Sequence, residues 1–309
     1  AGILFNATRI RQMITHDDIT QLPKIRFSGF SDIREMPGAE LIEALGDSYH
    51  HVGLDDTIVV TRSNKRANIF NQGIRNMVLD REEELESGDM LMIVKNNYYW
   101  MEEERKKIKE REERRVKSEE TAFGGRRESQ FNSLANHKVP SSKFKVQSNE
   151  LPAFLANGDR AKVMKVSRRS DLYGFHFATL LLKFPDYDNY ELEATVLLDT
   201  LTSEAPALTH DQQEQLFRQI EEDYQDIPLK ADRMKAIRQD PYFNALQVKF
   251  AYAVTCHKAQ GGQWSHVYVD QGYMTDDMLT PDYIHWLYTA FTRATEMLYL
   301  VNWPKTQVE

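Results

Sequence analysis

The stretch AYAVTCHKAQGGQW, Ala251–Trp264, begins as an alternating apolar run and ends as a polar loop with two adjacent glycines. Ligands of open α/β sheets gather where strands end, and glycines let backbone N–H groups approach a phosphate closely. In such a loop Lys258 can neutralise a phosphate, while Thr255, His257 and Gln260 can hydrogen-bond phosphates, bases or a nucleotide. The same spacing suits an ordinary glycine turn carrying solvated polar residues, and spacing alone leaves both readings open. A second stretch, LYTAFTRATEMLYL, Leu287 to Leu300, puts Leu287, Ala290, Phe291 and Ala294 at helical spacing and is mostly core packing. Within it Arg293 stands beside Thr292 and ahead of an apolar run, as either a structural ion-pair partner or a cation that stabilises phosphate charge.

Residues of this kind need a sheet to position them. TIVVT, Thr57 to Thr61, is a β-branched run followed by NKRANIFNQGIRNMVL at helical spacing, the strand and helix of a βα unit. LQVKFAYAVT and HVYVD read as further strands, YIHWLYTAFTRA as a helix and MLYLVN as the last strand. Upstream, GILFNATRIRQMI ends in helical spacing, KIRFSGF looks like a strand, and PGAELIEALGDSYHHVG is a helix with Pro in its first turn and Gly past its end. DMLMIVKN is the next strand candidate. Met101 to Glu120 carries eight acids and eight bases with no apolar face, which reads as a solvent-exposed helix held by pairs three or four apart or as a partly disordered segment. The composition then turns to Gly, Ser, Asn and Pro up to Pro152, which marks a linker. From Phe154 to about Leu201 several strand-like runs suggest a small barrel or curled sheet. Two helices follow, the first with Thr209 as N-cap. A β unit therefore interrupts an α/β domain.

At 309 residues the chain fits two folded units or one domain with a large insertion. Its 41% hydrophobic and 28% charged residues are ordinary for a globular protein. No apolar run is long enough to span a membrane, and the start lacks the order of a secretory signal. Cys256 is the single cysteine, so no internal disulfide can form, which suits a reducing cytoplasm. A net charge of -8 gives no global reason to bind nucleic acid, so any such binding must be local. Arg62, Lys65, Arg66 and Arg75 form one basic stretch, and Arg160, Lys162, Lys165, Arg168 and Arg169 form another; each is a solvated face or a contact surface.

Taken together, AYAVTCHKAQGGQW followed by WLYTAFTRA resembles motifs V and VI of superfamily 1 DNA helicases, most closely the RecD-like and Dda-like branch. The resemblance implies an α/β fold, the second RecA-like domain of the motor, interrupted by an SH3-like β-barrel that FLANGDRAKV enters. It implies that Thr255, His257 and Lys258 face single-stranded DNA, and that Gln260, Gly261, Gly262 and Gln263 link to the ATP site. Arg293 would be the catalytic arginine, reaching the γ-phosphate. TIVVTRSNKRANIFNQGIR is similar to the family's strand and helix in which Thr61 and Asn64 hold the DNA backbone at a helix N-terminus. The domains expected are 1–100 and 241–309 for the two parts of the motor domain, 101–150 for the charged helix and linker, and 151–240 for the barrel with a helical arm.

Two departures bear on function. The common family form has Ser-Glu after the first glycine, where this chain has Gly262 and Gln263; a neutral Gln can bond a ribose hydroxyl, but without charge assistance. There is also no G-x-x-x-x-G-K-[ST] phosphate loop, no Asp-Glu dipeptide, and no acid cluster with metal-site spacing. FGGRRES imitates the first, and Asp199 and Asp270 end apolar runs without the paired acid. The expectation is the C-terminal motor region of an ATP-dependent helicase that translocates 5′ to 3′ on single-stranded DNA. ATP and Mg²⁺ would be held largely by a first RecA-like domain upstream of residue 1, and the chain alone would be inactive as an ATPase. The branch also implies exonuclease-complex subunits as partners. The alternative is a non-catalytic nucleic-acid-binding protein derived from such a domain.

Overall fold

The structure is a computed structural model that describes residues 1–123 and 151–309, with side chains through 118 in the first stretch. It divides into two compact units, Ala1–Lys95 with Asn157–Glu309, and Asn96–Ala156.

In chain order the larger unit begins with α1 (Gly2–Thr15), β1 (Ile33–Met36), α2 (Leu41–His51), β2 (Thr57–Thr61), α3 (Asn64–Gly73) and β3 (Met90–Ile93). The second unit contributes α4 (Tyr99–Phe123). The larger unit then resumes with β4 (Arg160–Leu172), β5 (Phe175–Phe184), β6 (Tyr190–Leu197), α5 (His210–Asp223) and α6 (Lys230–Arg238). It closes with β7 (Leu246–Phe250), β8 (Ala253–Thr255), α7 (Cys256–Ala259), β9 (Trp264–Val269), α8 (Pro281–Phe291) and β10 (Ala294–Val301).

Five strands form a parallel sheet in the order β1-β10-β9-β2-β8. Its inner strands are rich in apolar residues that the covering helices bury: Val59, Val60, Val267, Val269, Leu298 and Leu300 are all buried. α8 packs on α1 and on β10, and α3 packs on β2 and β8. The remaining strands close into a barrel, β3-β4-β5-β6-β7, filled by Leu91, Val163, Leu180, Leu182, Val196 and Val248. Phe175, Phe177 and Leu197 of the barrel join Leu216, Ile220 and Ile237 of α5 and α6 in one cluster, so the helical arm is packed onto the barrel. Thr209 caps α5 with a full capping box, as its Thr-x-x-Gln spacing predicts. The α/β sheet with an inserted barrel is the expected architecture.

The boundaries differ. The barrel is not confined to 151–240: it takes β3 from the first expected motor segment and β7 from the second. The run LQVKFAYAVT is accordingly two strands in two sheets, with the chain crossing over at Ala251 and Tyr252. Tyr252 fixes that crossing. Its Oη donates to Asp89 Oδ1 at 2.7 Å and accepts from the Met90 N–H at 3.1 Å, while its carbonyl accepts from the Val59 N–H at 3.0 Å. Alternation alone does not reveal the change of sheet, because Gln247 and Lys249 are buried along with their apolar neighbours. KIRFSGF is likewise not a strand: only Ile25 bridges, to Val308, and Gly29 at φ +83 turns the chain so that Ile33–Met36 becomes the strand on β10.

In the second unit α4 carries the expected pairs, Glu103 with Lys106 at 2.7 Å and Glu104 with Lys107 at 2.8 Å. Arg105 donates to the carbonyls of Leu151 and Ala153 at 3.1 and 3.3 Å, and Tyr98 stacks on Phe154 at 4.6 Å. Of the expected linker, 121–123 finish α4, and 124–150, with most of FGGRRES, lie outside the described residues.

Candidate functional site

Strands β2 and β8 are neighbours in register, with Thr61 opposite Thr255. The two threonines expected to face DNA thus share the carboxyl edge of the sheet. α3 starts just beyond Thr61, capped by Ser63, whose Oγ accepts from the Arg66 N–H at 3.2 Å; Asn64, half-buried, is its first residue. That edge therefore offers the open N–H groups of a ten-residue helix together with Asn64. Thr61 itself is fully buried, its hydroxyl donating to Ser63 O at 3.0 Å and lying 3.4 Å from Val254 O. Its hydroxyl therefore shapes the turn into α3 and presents no open face. Its carbonyl accepts from Trp286 Nε1 at 3.4 Å.

Thr255 is half-buried and caps α7 through its backbone alone, and His257 is exposed on that one-turn helix. Lys258, half-buried, directs Nζ to Asn157 Oδ1 and Val94 O. Burial lowers its pKa. Lys249, on β7, is buried with Nζ donating to the carbonyls of Thr200, at 3.1 Å, and Ser203. Burial, with the nearby Lys258 charge adding to it, pushes this amine down to about 8. Neither amine has a carboxylate partner among the described residues, so the pair forms a positive spot suited to an anion.

The glycine pair is displaced from its expected place. Sequence reading puts it at the carboxyl end of a strand, but α7 and the loop after it return the chain across the sheet, and Gly261 and Gly262 precede β9 at the amino edge. The expected DNA-facing and nucleotide-facing residues therefore occupy opposite ends of the strands. The two glycines serve different needs: Gly261 holds φ +83 with open space where a Cβ would point, whereas a Cβ on Gly262 would fall 2.4 Å from the buried Trp264 ring. Gln260 and Gln263 are exposed beside them.

Arg293 follows α8, which ends at Phe291, so it sits in the turn before β10 instead of on the helix. Its Nη1 donates to Gly262 O at 2.9 Å, Nε to Thr289 O at 3.1 Å, and Nη2 to Thr292 Oγ1 at 3.2 Å. Its own carbonyl accepts from the Trp264 N–H at 2.9 Å. Among the described residues no carboxylate pairs with it, which disfavours the structural ion-pair reading. The structure thus joins the two stretches singled out in the sequence, through the guanidinium of one and the glycine carbonyl of the other.

Asp270 and Asp199, the two acids that end apolar runs, are both engaged. Asp270 is buried at the carboxyl end of β9 and clamped by Arg66, Nε and Nη2 each at 3.0 Å. Asp199 accepts from the His176 N–H at 2.7 Å. Neither is arranged as a Mg²⁺ ligand. His210, Asp211 and Glu214 lie close together, but all are exposed near the start of α5, and nothing further directs them at an ion. Sequence reading missed the Arg66–Asp270 pair, the Ser63 cap and the packing of Trp264 on Gly262. Only Ser63 carried a local signal, as a Ser placed before a helical run.

The sequence model of the UvrD-like helicase C-terminal domain matches residues 250–301, the span from the end of β7 through β10. No curated protein sequence matches the chain. Among solved structures, Pif1 helicase from Candida albicans aligns with 97% of the chain at 14% identity and a TM-score of 0.26, and the chain spans 55% of that protein's length. The segment that carries α7, α8 and Arg293 is therefore similar to the C-terminal domain of UvrD-like helicases.

Proposed function

We propose that the chain is the C-terminal motor region of an ATP-dependent superfamily 1 DNA helicase of the RecD-like branch, translocating 5′ to 3′ on single-stranded DNA. The observation that carries this reading is the Arg293–Gly262 hydrogen bond, which ties the phosphate-directed arginine to the loop that runs back to the DNA edge. Three neutral acceptors hold the guanidinium in place, so its charge remains uncompensated and suited to a γ-phosphate. ATP, when bound with Mg²⁺, supplies the hydrolysis that drives movement. Gly261, Gly262 and Gln263 could line its sugar and phosphates, but the acids of this chain do not fit the metal, so a first RecA-like domain must supply the phosphate loop and the Mg²⁺ ligands.

The chain's own residues then do two things. At the amino edge, moving Arg293 toward phosphate releases the Gly262 carbonyl. At the carboxyl edge, Thr255, His257, Lys258, Asn64 and the α3 N-terminus hold the DNA backbone. The eight residues from Cys256 to Gln263 connect the edges, so a change at one end is felt at the other. The test is to assay the 309-residue chain alone. No appreciable ATPase activity is expected, with weak, salt-sensitive binding to single-stranded DNA. Robust hydrolysis would refute the half-site reading. Full activity restored by adding a phosphate-loop domain would separate it from the non-catalytic binding protein.

A further inference from the structure

The loop between β9 and α8 leaves the sheet at Asp270, whose N–H donates to Val60 O at 2.9 Å, so it rises from the same carboxyl edge as Thr61 and Thr255. Tyr273 stands on it with 81% of its surface exposed, the largest fraction among the exposed large hydrophobic residues described. The loop beneath it is held on both sides. Gln271, 2% exposed, donates from Nε2 to Gln307 Oε1 at 3.1 Å and accepts from Tyr283 Oη. Met274, 5% exposed, receives Arg62 Nη1 at 3.1 Å from its sulfur. Gly272, at φ +68, makes the turn that sends the intervening ring outward.

We propose that Tyr273 is a stacking platform for a nucleobase of single-stranded nucleic acid passing over the carboxyl edge. This rests on the reading of that edge as the DNA side. The anchors on either side fix the backbone that carries the ring, which lowers the cost of ordering the loop on binding, and every base offers the ring a π-face. Arg62, which anchors the loop and lies 5.2 Å over the Tyr283 ring, adds a cation beside the platform. Asp270 adds no net repulsion, because Arg66 clamps it. Asp276, Asp277 and Asp282 lie further along the chain, and Asp276 is turned toward the Leu22 N–H at 3.2 Å. The contribution of Tyr273 is therefore apolar stacking and should not depend on salt.

The experiment measures fluorescence anisotropy of labelled oligothymidylate with the 309-residue chain over a range of KCl concentrations. Tyr273→Leu should weaken binding by about fivefold to a hundredfold with the salt slope and melting temperature unchanged, and Tyr273→Trp should restore it. On an oligonucleotide with abasic positions the wild type and Tyr273→Leu should bind alike. Binding by wild type that Tyr273→Leu leaves unaltered, or a loss that persists undiminished on the abasic strand, would overturn this inference and leave the proposed function standing. No binding by the wild type even at low salt would overturn both.

Discussion

Gly261 and Gly262 are adjacent and chemically identical, yet the structure predicts that replacing them fails for different reasons. At Gly262 the backbone is not left-handed, but an added methyl would sit 2.4 Å from Trp264 Cη2 and 2.8 Å from Cζ3. The indole cannot yield easily, since it is buried with the Arg160 guanidinium 5.4 Å over its ring. Overpacking of this kind costs about 1–3 kcal/mol. At Gly261 there is room for the methyl but φ is +83, and the cost is the left-handed backbone, about 1–2 kcal/mol. Urea unfolding of Gly262→Ala, Trp264→Leu and the double variant isolates the overlap. Shrinking the indole should recover most of the Gly262→Ala loss, a coupling of at least about 1 kcal/mol. Gly261→Ala should show no such coupling, and Gly261→Asn should be better tolerated than Gly261→Ala. Additive losses for Gly262→Ala and Trp264→Leu would refute the packing account of the loop, and with it the reason its carbonyl lies within reach of Arg293.

Two further predictions concern buried charge. Asp89 is fully buried between Arg75, 2% exposed, and Arg81, so Asp89→Asn should cost about 3–5 kcal/mol in urea unfolding by stranding Arg75. Burial alone would raise the Asp89 carboxyl, but hydrogen bonds from Arg75, the Glu86 N–H and Tyr252 together hold it below the ordinary range. Its stabilisation is therefore complete above the unfolded pKa of about 3.9 and is lost as pH falls through the lower folded value, a loss the Asn variant should not show. Lys249 has the opposite sense: its amine titrates at about 8 when folded against about 10.4 unfolded, so the unfolded chain binds more protons between those values. Stability should rise with pH from about 8 to about 10.4, and Lys249→Met should abolish that rise.

How much of this was legible in the sequence depended on whether the signal was local. The capping box at Thr209, the pairs along α4 and the apolar run Thr57 to Thr61 follow from neighbours a few residues apart, and each element formed as its spacing requires. The crossing at Tyr252 was hidden because β7, with Gln247 and Lys249, and β8 are both largely buried, so the alternation in the sequence does not mark where one sheet ends. What holds it is Asp89, 163 positions away in sequence. The same holds for the site. Residue types at Thr255, Lys258 and Arg293 left a phosphate site and an ordinary turn or ion pair both open, and the placement of the glycines at the amino edge depended on the path of residues 256–263 across the sheet. The packing of Trp264 on Gly262 is a fact of three-dimensional overlap that no spacing encodes.

The central claim is that Arg293 belongs to an ATP site completed by another domain. It is tested most directly by steady-state ATPase measurements on the chain joined to its phosphate-loop domain, comparing wild type with Arg293→Ala. An arginine that stabilises transition-state charge should lose about 10³-fold or more in kcat when truncated, while single-stranded DNA binding changes little. Turnover near the wild-type rate in a folded Arg293→Ala protein would contradict the account and reduce Arg293 to a brace for the Gly262 loop.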